Sequence, residues 1–140
     1  MAFIRSGEVR RKEAESEKIT INLGYVDLGH IDLLVQEGFY SNRTDFIRTA
    51  IRNQLASHGD VLKQTVARRS MVLGLQRFTR EDLERCRKAG EQLHIQVLGL
   101  ALIDEDVPPK LAAQAIASIS VLGALRASPA VREALADRIR

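Results

Sequence analysis

The pattern of hydrophobic and polar positions changes character several times along the chain. Residues 1–17 show no apolar period and alternate between basic and acidic side chains, which predicts a flexible arm. Residues 18–23, KITINL, alternate strictly, with Ile19, Ile21 and Leu23 on one face. This period of two predicts a half-buried β-strand.

Two runs of apolar residues at helical spacing follow the strand. Gly38 separates them as a plausible residue just past the end of the first helix. Ser41 or Asn42 can cap the second helix, which is predicted over residues 42–57. Its apolar stripe consists of Phe46, Ile47, Ala50, Ile51 and Leu55. A unit of about 40 residues buries too little apolar surface to be stable alone, so we predict that a second copy completes it.

The second half of the chain repeats one unit of strand, turn and helix. After a short helical linker over residues 58–69, the motif VLG occurs three times, with glycines at Gly74, Gly99 and Gly123. Their period of about 24 residues is typical of stacked repeats. Five residues after each glycine comes a residue that can cap a helix: Thr79, Asp104 and Ser128. The helices are predicted over three ranges: 80–91, 108–117 and 129–139.

This repeat constrains how the strands can pair. Because each helix returns the chain to the same end of the sheet, the strands can pair only in parallel. Ile95 and Val97 lie on one face of the middle strand, and Leu98 and Leu100 on the other. Apolar residues on both faces predict a sheet that is covered on both sides. We expect the edge of the last strand to be open to another chain. The predicted fold class is therefore α+β, with a three-unit repeat domain over residues 70–140.

The order of strand, helix, glycine turn and capped helix resembles a known DNA-binding architecture. Residues 18–57 look like a ribbon–helix–helix domain of the CopG, NikR, Arc and MetJ superfamily. The segment EGFYSNRTDFIRTAIRNQL is similar to the turn and second helix of the NikR and CopG branch, where G-Y-x-N-R-S-E-x-I-R is typical. The resemblance implies an obligate homodimer in which two strands form an antiparallel ribbon.

The resemblance also implies which residues contact double-stranded DNA. By position, the polar side chains of the strand match the base-reading residues of the family: Lys18, Thr20 and Asn22. The start of the second helix matches the family's phosphate-binding site: Ser41, Asn42 and Arg43. The phosphate role has a physical reason of its own, because a helix N-terminus attracts anions.

Composition and charge restrict the other possibilities. The net charge of +3 is mild for a nucleic-acid-binding protein, so the DNA prediction depends on local arrangement. Phosphate loops, nucleophile elbows and paired metal ligands do not occur in the sequence, and we predict neither an enzyme nor a cofactor. His30, His58 and His94 are far apart, so we predict no metal site. Cys86, between two arginines, is either a redox-responsive thiol or an unreactive one on a helix surface.

The sequence therefore predicts a DNA-binding transcriptional regulator, specifically a repressor that recognises a defined sequence. The sequence contains neither a signal peptide nor an apolar run long enough to cross a membrane, so a cytoplasmic location is expected. The repeats would join homodimers into a larger homo-oligomer. Two alternatives stay open: an antitoxin whose C-terminal part binds a toxin, and a DNA-organising or partition protein with little sequence preference.

Overall fold

The computed structural model describes residues 16–140, and the chain divides into two compact units, Met1–Val61 and Leu62–Arg140. The boundary falls inside the segment that was predicted as a linker. The arm predicted over residues 1–17 lies almost entirely outside the described residues. Among the described residues, the first elements are three helices: α1 over Tyr25–Gln36, α2 over Arg43–Ser57 and α3 over Gly59–Arg68. The two predicted helices are thereby confirmed, and the segment predicted as a linker is helical, as expected.

Gly38 ends α1 in the way that its position predicts. Its φ of +85° is in the left-handed region, which glycine adopts without a steric penalty. The N–H of Gly38 donates to the carbonyl of Val35 at 3.1 Å, and that of Phe39 to the carbonyl of Leu34 at 3.0 Å. These two bonds form a Schellman motif, which satisfies carbonyls at the helix end and turns the chain toward α2.

The predicted strand over residues 18–23 has no regular secondary structure in the single chain, and its residues are exposed. A β-strand needs a neighbour to satisfy its backbone N–H and carbonyl groups, and this segment has no strand beside it in the described part of the chain. The antiparallel ribbon therefore stays a prediction about two copies.

The C-terminal unit contains a three-stranded sheet that is parallel, as predicted, and its strand order is β1-β2-β3. The strands are β1 over Val72–Phe78, β2 over Leu93–Ile103 and β3 over Ile116–Arg126. Each strand precedes a helix: α4 over Arg80–Lys88, α5 over Pro109–Ala115 and α6 over Pro129–Ala134. The unit of strand, turn and helix is confirmed in all three repeats.

Two of the three predicted helix caps are correct. Thr79 forms a capping box with Asp82 at the start of α4, and the Ser128 side chain accepts the N–H of Val131 at 3.2 Å. The Asp104 prediction is wrong, because α5 begins later and its N-cap is Pro108. The Asp104 carboxylate instead accepts two hydrogen bonds from the Arg77 guanidinium, at 2.7 and 2.8 Å. This bidentate pair joins β1 to the turn after β2.

The helices end earlier than predicted, and in two cases the reason is visible. Gly90, with φ +69°, ends α4 through a second Schellman motif, so the helix stops at Lys88 instead of reaching residue 91. The segment after α6 turns back to β3, where Ile119 bonds with the backbone of Arg138 and Arg140 at 2.9 and 2.8 Å. The prediction of an open last edge is therefore wrong for this part of β3.

The core of the C-terminal unit lies on one face of the sheet. Alternate residues of β2 are buried together with residues of the three helices, and Val121 and Leu125 of β3 pack against the same cluster. The buried residues of β2 are Ile95, Val97, Ala101 and Ile103. The expectation of a sheet covered on both sides is wrong for the single chain, since Leu73 and Leu122 on the other face are exposed.

The three repeat glycines pair in register across the sheet, and each has a φ between +113° and +138°. An added Cβ at Gly99 would lie 2.2 Å from the carbonyl oxygen of Gly74, and one at Gly123 would lie 2.1 Å from that of Gly99. A Cβ at Gly74 would meet nothing within 4 Å. Glycine is thus required at Gly99 and Gly123 for two reasons: the positive φ disfavours any other residue, and the neighbouring strand leaves no space for a Cβ.

We expect alanine at Gly99 to destabilise the C-terminal unit more than alanine at Gly74. The positive φ alone costs about 1–3 kcal/mol at either site. Gly99→Ala adds an overlap with backbone that cannot rotate away, and such overpacking costs about 1–3 kcal/mol more. Urea unfolding of the two full-length variants, followed by circular dichroism, measures the difference. Equal losses of stability would show that the close approach between strands is unimportant.

Candidate nucleic-acid interface

The three predicted base-reading residues lie on the exposed segment that leads into α1. Lys18, Thr20 and Asn22 are all exposed, as are the alternating apolar residues Ile19 and Ile21. The structure thus places the side chains together on one short stretch and leaves them accessible.

The N-terminus of α2 is organised by two side chains. Asn42 is the N-cap residue, and its side-chain oxygen accepts the N–H of Asp45 at 2.8 Å. In return, the Asp45 carboxylate accepts the N–H of Ser41 at 3.0 Å. Tyr40 stabilises the turn before α2 further, because its ring packs edge-on against the ring of Phe46, with the two ring centroids 5.0 Å apart. Asn42 therefore has a structural role, and its predicted contact with phosphate would have to be additional.

Arg43 is engaged within the chain. Its guanidinium donates to both carboxylate oxygens of Asp32, at 2.7 and 2.8 Å, and so links the start of α2 to the middle of α1. Both side chains are about half exposed, so the pair contributes modestly to stability. Its bidentate geometry nevertheless fixes the angle at which α2 leaves the turn.

Two backbone N–H groups at the start of α2 stay available. Those of Arg43 and Thr44 make no hydrogen bond within the described part of the chain, as is usual for the first residues of a helix. With the exposed hydroxyl of Ser41 they form a set of donors at the positive end of a 15-residue helix. The arrangement can hold an anion such as a phosphate group.

The apolar stripes of α1 and α2 are largely uncovered in a single chain. Ile31 is 6% exposed, while Leu33, Ile51 and Leu55 are all exposed. A groove of about 430 Å³ runs between the two helices, and its lining is mostly apolar. The lining includes Ile21, Leu23, Leu34, Phe46 and Ile47. α2 buries none of its residues, which is unusual for a helix with a continuous apolar stripe.

The remaining candidate residues do not assemble into a site. Among residues 16–140, no group of three or more His, Cys, Asp and Glu side chains could hold a metal ion. His94 pairs with Ser118 at 2.9 Å, and His58 lies 3.4 Å from Gln54. Cys86 is buried, and its thiol donates to the carbonyl of Glu91 at 3.1 Å, so it does not lie on the helix surface as the sequence suggested. No helix in the described range is long and apolar enough to cross a membrane.

Sequence reasoning missed the partners of the α2 N-terminus, Asp32 and Asp45. Asp45 could have been found, because an acidic residue three positions after an N-cap is a known signature. Asp32 has no such local signal, since it meets Arg43 only after the chain has turned at Gly38. The pairing depends on how α1 and α2 pack.

Comparison with known proteins identifies a family for the chain. The profile of a family described as a ribbon–helix–helix transcriptional regulator family matches residues 14–132, which takes in both units of the chain. No curated protein and no solved structure matches.

The pKa of the Asp32 carboxyl is lowered, first by its hydrogen bonds with Arg43 and also by the positive charge of that residue, although burial acts in the opposite direction. A lowered folded-state pKa stabilises the fold at neutral pH, and this contribution is lost as the pH falls through that pKa.

We expect Arg43→Gln to return the pKa of Asp32 toward the ordinary carboxyl range. Carbon-detected NMR titration of the carboxyl measures this shift, and Arg48→Gln is the control that should leave it unchanged. The same low pKa in both variants would show that Arg43 is not its cause.

Proposed function

Because the chain belongs to the ribbon–helix–helix transcriptional regulator family, we propose that it is a sequence-specific DNA-binding repressor that reads its operator with a dimeric β-ribbon. The family assigns transcription regulation and DNA binding. The repressor activity, the sequence preference and the residues that read DNA are our proposal.

The observation that carries this proposal is the exposed apolar surface of the N-terminal unit. The exposed residues of α1, α2 and the segment before them are too many for a stable free surface, because large apolar patches mark interaction sites. A second copy would fill the groove between the helices with the same apolar side chains. An isologous contact of this kind is the usual basis of a homodimer.

Dimerisation would also give residues 18–23 the neighbour that they lack. Two copies of this segment, paired antiparallel about the dimer axis, would satisfy each other's backbone groups and place their apolar side chains inward. Lys18, Thr20 and Asn22 of both copies would then project from the opposite face. A two-stranded ribbon fits the major groove of B-DNA. Asparagine can bond to an adenine edge, lysine to guanine O6 and N7, and threonine to a base or a thymine methyl group.

Phosphate contacts would fix the position of this ribbon on DNA. The N–H groups of Arg43 and Thr44 and the hydroxyl of Ser41 are the donors we assign to a phosphate, because they are accessible at a helix N-terminus. Asn42 and the guanidinium of Arg43 would act mainly by orienting that terminus, through the hydrogen bonds to Asp45 and Asp32.

The antitoxin alternative receives less support. It predicts a C-terminal segment that becomes ordered only on binding a toxin. The C-terminal unit instead has a hydrophobic core of its own, contributed by three strands and three helices. The partition alternative requires little sequence preference, which makes it separable by competition binding.

We expect Asn22→Ala to weaken binding to a selected site by about 1–3 kcal/mol and to relax the base preference at one position of each half-site. Competition binding against random DNA measures both effects. Asn53→Ala, an exposed asparagine on α2, is the matched control and should bind as the unmodified protein does.

Two results would contradict the proposal. If the unmodified protein binds random DNA as tightly as any selected site, the sequence-specific reading fails and a DNA-organising role is favoured. If Asn22→Ala and Asn53→Ala behave alike while specificity is retained, the ribbon does not read bases through Asn22.

A further inference from the structure

The sheet of the C-terminal unit has a second face that the helices do not cover. We call it the open sheet face. It consists of two apolar rows that run across the strands on either side of the repeat glycines. The first row is Leu73, Leu98 and Leu122, and the second is Leu75, Leu100 and Ala124, as the strand register pairs them.

Burial distinguishes this face from the core face. Leu73 is 71% exposed and Leu122 is 48% exposed, although both lie within strands. Residues of opposite orientation belong to the other side: Val97, which precedes Leu98 on β2, is fully buried, and Val121, which precedes Leu122 on β3, packs against the core. None of the six residues of the open sheet face is part of the core cluster. The sequence therefore repeats leucine at positions that the single chain leaves in contact with solvent.

Polar groups are confined to the ends of the open sheet face. At one end His94 and Ser118 pair across β2 and β3 at 2.9 Å, next to Gln96 and Ser120. At the other end Arg77 is bound to Asp104, and Arg126 lies at the last position of β3. The middle of the face is uncharged, so two copies of it would not repel each other. A surface of this pattern is complementary to itself, as a twofold contact requires.

The size of the face indicates how its partner must be held. Three strands about 4.8 Å apart, each with about nine residues at a rise of about 3.3 Å, give the whole sheet a footprint of about 400 Å², which includes the polar ends as well as the open sheet face. A specific interface usually buries about 800 Å² on each partner. A contact of about half that size is weak between molecules that meet in free solution, but it forms readily between units that are already tethered, where the effective concentration reaches the millimolar range.

We infer that the open sheet face packs against the same face of a second copy of the chain, so that the two C-terminal units of a dimer form a two-layer stack of sheets. The inference depends on the proposed function for the tether, because dimerisation through the N-terminal units brings the second copy within reach. The leucine rows of the two copies can interdigitate at the spacing of about 10 Å that stacked sheets have. The contact between the two C-terminal units would thus stabilise the dimer without a ligand.

Cross-linking through a single cysteine tests this contact in the full chain. In a Cys86→Ser background, Leu100→Cys places a thiol on the middle strand of the open sheet face. The middle strands face each other in a twofold stack whether the two sheets run parallel or antiparallel. A short bis-maleimide should therefore join most chains into covalent dimers, in a yield that does not change on dilution. Val72→Cys, on the core side of β1 and 45% exposed, is the matched control and should cross-link at least about tenfold less.

A second change tests whether the leucines cause the contact. Adding Leu73→Gln and Leu122→Gln, both exposed in the single chain, should lower the cross-linking of Leu100→Cys by about tenfold while circular dichroism stays unchanged. Equal cross-linking of Leu100→Cys and Val72→Cys, or a yield that rises in proportion to concentration, would overturn the inference.

Measuring DNA binding on the same samples separates this inference from the proposed function. Specific DNA binding without cross-linking at position 100 would refute the sheet contact alone. Cross-linking at that position without any specific DNA binding would sustain the contact and refute the proposed function.

Discussion

The burial of apolar surface is the constraint on which the N-terminal unit depends. Two amphipathic helices joined by a tight turn cannot cover all of their own apolar residues. In α1 and α2, Ile31 is buried, while Ile51 and Leu55 are exposed. Complete burial of a leucine or isoleucine side chain is worth about 1.5–3 kcal/mol, and Ile51 and Leu55, at 48% and 54% exposure, forgo about half of that. A second copy recovers this free energy, and the strand segment before α1 gains its hydrogen-bonding partner in the same event. Dimerisation and the formation of a DNA-reading surface would then be one process.

Local signals in the sequence predicted most of the elements. Period-two and helical patterns, glycines and capping residues act over a few neighbouring residues, so α1, α2, the Gly38 turn and the caps at Asn42, Thr79 and Ser128 could be identified without tertiary information. The parallel pairing followed from topology, because a helix after each strand returns the chain to the same end of the sheet.

The failures share one physical cause, which is that they depend on contacts between residues distant in the sequence. Asp104 resembled a helix cap, but Arg77 of the neighbouring strand binds it. The predicted phosphate role of Arg43 gave no sign of Asp32, which binds the Arg43 guanidinium across the turn. The apolar alternation of the strands suggested two covered faces, yet the connections place all three helices against one. In the candidate site, the sequence pattern predicted that the N-terminus of α2 binds phosphate. It did not predict Asp32 and Asp45, the side chains that orient this terminus.

The most direct test of this account is the selection of bound sequences from a random DNA pool by the full-length protein. A dimer that reads DNA with a twofold ribbon must recognise two half-sites related by the same symmetry. We expect a short inverted repeat to be enriched, at a fixed spacing between its halves. Recovery of unrelated sequences, or of a single half-site without symmetry, would contradict the dimeric ribbon on which the account depends.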